Sequence, residues 1–289
     1  MKFEWLDKTE YPFTPHYFEV NGQRLHFIDE GKGETILFVH GTPSWSFDFR
    51  NVIKVLKDHY RCVAIDHMGF GLSDKPESYD YSTQRHSLTL TQFILQKDLN
   101  NLTLVVHDFG GPIGFDFAIQ HPQRVKRIVI LNSWLWDSSD DPDFKRLSKT
   151  LRSPLLPFLY RYFNFSPQFI LPRTFGEKSL SSSIHAHYTH PFASRKERNG
   201  TLAFAKSLLN DQEWFESLWE KKSILGKIPV LLIWGMKDPV IRPHYLEKFK
   251  SGFSECTVYE LPSVGHFPQE ESPEEVAQAI DEFMRKDAP

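Results

Sequence analysis

Cysteine is scarce in this chain: 289 residues hold two, Cys62 and Cys256. Both fall in strand-like runs, so they are expected as buried free thiols rather than a disulfide or a metal site. Long apolar runs are missing as well. No stretch approaches the ~20 residues of a membrane-spanning helix, and Met1 to Lys8 lacks the apolar core of a secretory signal. The expected location is therefore cytoplasmic, with no membrane partner. An excess of positive charge is also absent, since 34 Lys and Arg stand against 37 Asp and Glu for a net charge of −3. That leaves no basic footprint for nucleic acid. Histidine is plentiful, with 13 in all. His185, His187 and His190 have no nearby Cys or clearly placed acid, so they read as surface histidines, and no metal or other cofactor is expected. Oligomeric state leaves no mark in the sequence.

What is present is alternation. Apolar, β-branched runs near Leu25 to Asp29, Ile36 to His40, Cys62 to Asp66, Leu104 to His107 and Ile128 to Asn132 alternate with helical stretches. Such alternation predicts an α/β fold, a mostly parallel sheet covered by helices, with functional loops at the carboxyl ends of the strands. From Asp137 to Lys227 the pattern changes to short helical pieces rich in Ser, Pro and aromatics, as expected of an inserted helical cap. Prolines between Leu151 and Tyr160 break any long helix there, while Trp214 to Lys222 reads as an amphipathic helix. Strand runs resume at Val230 to Trp234 and Cys256 to Leu261. Pro273 to Arg285 closes the chain as a helix, with Ser272 as N-cap and Glu275 at the capping-box position. The core domain is thus expected over 1–136 and 228–289, and the cap over 137–227.

The run from Leu102 to Gly111 carries the strongest chemical signal. A strand ends in Asp108, followed by Phe109 and two glycines, the pattern of a nucleophile elbow with an aspartate in place of serine. Val106 stands where such an elbow usually has its first glycine. An acid at this place equally suits a helix N-cap. A carboxylate is already ionised at neutral pH and can attack an alkyl carbon directly, forming an ester. Two further segments favour the elbow. Asp238 follows the strand Val230 to Trp234, and His266 lies in a glycine-bearing loop before the last helix, so nucleophile, acid and histidine fall in α/β-hydrolase order. Upstream, the strand run Ile36 to His40 opens into the glycine-bearing loop Gly41-Thr42-Pro43. In that fold, the backbone N–H groups of Thr42 and Phe109 would stabilise developing negative charge.

These residues resemble the aspartate-nucleophile branch of the α/β-hydrolase superfamily, most closely the haloalkane dehalogenases, with epoxide hydrolases as near relatives. Matching segments are Val39 to Pro43 with Trp45 and Arg50, Asp66 to Pro76, His107 to Pro112, Asn132, Gly235 to Asp238, and Gly265 to Phe267. The resemblance implies that Asp108 displaces a leaving group at carbon, that His266 activates water to hydrolyse the ester, and that Asp238 orients His266. A small apolar organic molecule and water would be the reactants. One departure stands out: those dehalogenases carry Trp directly after the nucleophile and often Asn in the His-Gly loop as halide donors, where this chain has Phe109 and Thr42. Trp45, Trp134 and Trp136 are candidate substitutes, with packing as their other reading. In an epoxide hydrolase, cap tyrosines would polarise the ring oxygen, for which Tyr160, Tyr162 and Tyr188 are candidates. Fluoroacetate dehalogenases tend to have Arg after the nucleophile, so Phe109 argues against that substrate. A non-catalytic ligand-binding protein on the same fold is a further alternative.

Overall fold

A computed structural model describes residues 3–226, 228–253 and 255–286. Met1, Lys2 and Lys227, the last being the expected end of the cap, lie outside the described residues. Eight strands form one sheet: β1 (His16–Val20), β2 (Gln23–Glu30), β3 (Thr35–Val39), β4 (Arg61–Ile65), β5 (Leu102–Asp108), β6 (Val125–Ser133), β7 (Val230–Gly235) and β8 (Cys256–Leu261). Their order is β1-β2-β4-β3-β5-β6-β7-β8. β1 and β2 pair antiparallel, as do β2 and β4, and every pairing from β4 onward is parallel.

The central strands are buried on both faces, which explains why they read as continuous apolar runs. Successive side chains still point to opposite faces. Leu104, Val106, Ile128 and Ile130 join one apolar layer, whereas Val105, Val129 and Leu131 join the other. Helices α1 (Arg50–Leu56), α2 (Thr83–Gln96) and α3 (Gly110–Gln120) precede β6. α2 packs with α3 on one face, and α1 packs with the final helix on the other.

Between β6 and β7 the chain is helical: α4 (Pro142–Leu151), α5 (Leu156–Phe163), α6 (Ser182–Thr189), α7 (Asn199–Asn210) and α8 (Gln212–Glu220), joined by shorter turns. Asp141 caps α4 by accepting from the N–H groups of Asp143 and Phe144. Pro154 lies between α4 and α5, where it keeps the two from fusing. After β7 come α9 (Pro243–Gly252), α10 (Pro268–Glu271) and α11 (Pro273–Arg285).

Three sequence expectations need correction. Ser272 makes no side-chain cap bond to α11. Its N–H closes the turn of α10 on Pro268 O, and its ψ of 58° is not the extended conformation that aims a cap side chain at the third helical residue. Cys256 is only half-buried, because β8 is an edge strand, while Cys62 is fully buried; both are free thiols. The histidines of α6 are not surface decoration. His187 is buried, accepts from the Asp7 N–H at Nε2 and donates from Nδ1 to Ser183 O. His185 donates to Pro167 O. Among the described residues, no cluster of His, Cys, Asp and Glu could hold a metal ion.

Candidate active site

β5 delivers Asp108 to the site through a strained turn. Asp108 has φ +52°, in the left-handed region that a side-chain-bearing residue adopts only when its surroundings hold it there. It is not a helix cap, since α3 begins after Phe109 and receives no side-chain cap bond. Close approach dictates the small neighbours. A Cβ on Gly41 would lie 2.1 Å from Asp108 Oδ1, and one on Gly110 would lie 2.1 Å from Val39 O. The missing first glycine of the elbow is offset on α3: the Val106 side chain occupies the space that a Cβ on Gly114 would need, 2.7 Å away. Ser133 Oγ donates to Asp108 O at 2.7 Å and ties the turn to β6.

The two carboxylate oxygens of Asp108 have different surroundings. Oδ1 accepts from the Thr42 backbone N–H at 2.8 Å. Oδ2 lies 3.4 Å from His266 Nε2. On its other side, His266 Nδ1 donates to Asp238 Oδ2 at 2.7 Å. Asp238 also accepts from the N–H groups of Val240 and Ile241 at 2.7 and 3.0 Å, and from Asn132 Nδ2 at 2.8 Å. Burial works against ionisation of Asp238, but His266 and those backbone donors hold its carboxyl below the usual value. Burial likewise disfavours the His266 imidazolium. The flanking carboxylates of Asp238 and Asp108 outweigh it and raise the imidazole to about 10. The surroundings of His266 thus favour its imidazolium form, held between the side chains of Asp238 and Asp108.

Several residues without an assigned role in the sequence reading hold this arrangement. Asn132, with φ +24° at the end of β6, accepts from Gly235 N–H as well as donating to Asp238. His107 Nε2 donates to His266 O at 2.6 Å. The His266 N–H donates to Thr174 O at 2.8 Å. Glu271, buried, accepts at one oxygen from Gly265 N–H and at the other from Gly176 N–H, both at 2.8 Å. The sequence offered a cue for Asn132, an Asn at a strand's carboxyl end, and none for Glu271.

Asp108 and His266 open into a cavity of about 240 Å³ whose walls include Phe109, Trp134, Tyr160, Leu171, Ile241 and Phe267. Thr42 lines it too, and its buried Oγ1 has no hydrogen-bond partner. The Phe109 ring stacks on Phe204 at 4.5 Å and meets Trp134 edge-on at 4.9 Å. Of the pocket candidates, Trp134 and Tyr160 line this cavity. Trp45, Trp136 and Tyr188 do not line the cavity. Trp45 donates its indole N–H to His187 O, Trp136 packs among Trp219, Tyr245 and Phe249, and Tyr188 donates its hydroxyl to Glu270. Tyr162 is exposed. Sequence alone missed these placements because Trp45 and Trp136 lie in loops, and Tyr162 and Tyr188 on cap helices, whose orientation is set by packing in three dimensions.

Comparison with known proteins agrees with this architecture. Residues 34–273 match a family model described as the alpha/beta hydrolase fold. The chain is 34% identical over 276 residues to haloalkane dehalogenase 2 of Mycobacterium tuberculosis, covering 95% of this chain and 96% of the relative. It is 35% identical over 285 residues to a cis-3-alkyl-4-alkyloxetan-2-one decarboxylase of Shewanella oneidensis, covering 94% and 89%. Among solved structures, the haloalkane dehalogenase DatA of Agrobacterium tumefaciens superposes with a TM-score of 0.85 at 24% identity, covering 95% of this chain and 97% of that one. A putative ancestral haloalkane dehalogenase gives 0.86 at 24% identity, covering 94% and 98%. The chain belongs to the α/β-hydrolase fold family and is a haloalkane dehalogenase-like enzyme of it.

Proposed function

We propose that this hydrolase cleaves the carbon–halogen bond of a small apolar haloalkane through an ester on Asp108. The observation that carries the reading is the split environment of the Asp108 carboxylate. Thr42 N–H holds Oδ1, while Oδ2 faces the apolar cavity and His266. Oδ2 attacks the carbon bearing the halogen, the new C–O bond forms as the C–X bond breaks, and halide departs. Water then attacks the ester carbonyl. His266 takes its proton, and the oxyanion develops at Oδ1, where the Thr42 N–H already points and Phe109 N–H is the expected second donor. Alcohol leaves, Asp108 is restored, and one proton and one halide are released per turnover.

Dehalogenation fits the walls better than epoxide opening does. Of the three cap tyrosines, only Tyr160 lines the cavity, so a pair of cap hydroxyls for a ring oxygen is not provided. Trp134 offers an indole on the cavity wall that makes no hydrogen bond to the described residues, a donor for a departing anion in place of the one Phe109 lacks. A non-catalytic receptor would have little use for a carboxylate, imidazolium and carboxylate held in line.

A second reading draws on the relative that decarboxylates an oxetan-2-one and on the phenyl ring at position 109. Asp108 would attack the ring carbon bonded to oxygen and free a carboxylate. Loss of carbon dioxide would then form an alkene and expel Asp108. Products separate the two readings. Purified protein given a bromoalkane should release bromide and alcohol, and Asp108→Asn should lower that rate by roughly 10⁴-fold or more. Inert bromoalkanes together with alkene and carbon dioxide from a dialkyl oxetanone would establish the second reading instead.

A further inference from the structure

The cap carries an outward face that the reaction does not use. α5 is apolar on nearly all sides, a pattern that normally means burial. Leu156 and Tyr160 do turn inward. On the outside, however, Leu155, Phe158, Tyr162 and Phe163 are 55%, 46%, 48% and 52% exposed, and nearby Phe169 is 40% exposed. Phe158 packs on both Tyr162 and Phe163, so these rings form one patch. Soluble monomers rarely present such a contiguous apolar surface without a partner.

Charge indicates what covers it. From Phe144 to Gly176 the sequence has six Lys and Arg and no Asp or Glu, in a chain whose net charge is −3. Arg152 and Arg161 are exposed beside the patch, and the Arg195 guanidinium lies 4.0 Å over the Tyr162 ring. Apolar rings flanked by cations match an anionic bilayer surface, where rings enter the headgroup boundary and cations meet lipid phosphates. The inner side of the same segment lines the reactive cavity through Leu151, Tyr160, Ile170 and Leu171.

We propose that the outer face of α5 docks the enzyme on anionic lipid membranes, placing the cavity beside the phase in which apolar substrates dissolve. This is surface binding, compatible with the absence of a membrane-crossing helix among the described residues. It revises the sequence expectation of no membrane partner. It also rests on the reading of the cavity as a site for apolar molecules, although vesicle binding is read without any turnover.

The test is flotation of the full chain with vesicles of phosphatidylcholine alone or with about a third phosphatidylglycerol, over a salt series, beside sedimentation analysis without lipid. The protein should float with the anionic vesicles and be released by salt. Phe158→Ser with Phe163→Ser, and separately Lys149→Glu with Arg152→Glu, should weaken binding by at least roughly tenfold. Turnover of a water-soluble bromoalkane should be unchanged in both. Equal behaviour on both vesicle types, or variants that bind as well as the wild type, would overturn the proposal. So would a salt-insensitive dimer that Phe158→Ser with Phe163→Ser dissociates, which would assign the patch to a second copy of this chain. Loss of bromoalkane turnover with intact vesicle binding would count against the reaction, not the docking.

Discussion

In the reaction proposed above, His266 begins at a level of protonation that is wrong for a base. The side chains of Asp238 and Asp108 raise it to about 10, which favours the imidazolium at neutral pH. In the proposed reaction, esterification would remove the charge of Asp108 and with it one of the two interactions that favour the cation. The imidazole would then shed its proton, which leaves with the halide, and serve as base for water. Asp48 behaves differently. It is fully buried, accepts from Gln269 Nε2, and burial raises its carboxyl to about 8. A folded-state value above the unfolded one means that its contribution to stability is whole below about 3.8 and is lost as pH rises through about 8. Asp48→Asn should therefore flatten the fall in melting temperature between about pH 4 and about pH 8, read by thermal unfolding at each pH. A slope equal to that of the wild type would show that Asp48 is not the titrating group.

Between the residue and the whole lies the loop that carries His266. Its backbone is fixed on both sides, by Thr174 and Glu271 toward the segment between β6 and β7 and by His107 toward β5. Glu271 joins Gly176 to Gly265 with one carboxylate, so the helical insertion is tied directly to the histidine loop. Glu271→Gln keeps the size of the side chain but replaces one acceptor with a donor that faces an N–H. It should slow ester hydrolysis about tenfold or more while leaving ester formation near its wild-type rate. In rapid-quench mass spectrometry the alkylated enzyme should accumulate. A variant slowed equally in both steps, with no accumulation, would mean that Glu271 only stabilises the fold.

Element by element, the sequence was legible where one physical signal dominated. Strands buried on both faces read as apolar runs, and the elbow read through its glycines; the structure brings the three residues singled out there, Asp108, Asp238 and His266, together. Edge strand β1 was not anticipated, because a half-exposed five-residue strand carries little pattern. The capping box at Ser272 failed since the preceding turn of α10 had already set its backbone. Cavity walls were least legible. Trp45 and Trp134 look alike in sequence, yet one bonds to α6 and the other faces the site, a choice made by helices that contact only in three dimensions.

At the scale of the whole molecule, the sheet fixes Asp108, Asp238 and His266, and the helical insertion closes an apolar space over Asp108 and His266. The match across residues 34–273 and the dehalogenase and decarboxylase relatives agree on the scaffold and leave the reacting bond to the cavity. Covalent capture reports on that bond most directly. His266→Gln should still be alkylated at Asp108 but be unable to hydrolyse the ester, so intact mass spectrometry after addition of 1-bromobutane should show the protein heavier by one butyl group. Peptide mapping should place that group on Asp108. An unmodified mass with a bromoalkane that the wild-type enzyme consumes would contradict the ester on Asp108, and the account of the site with it.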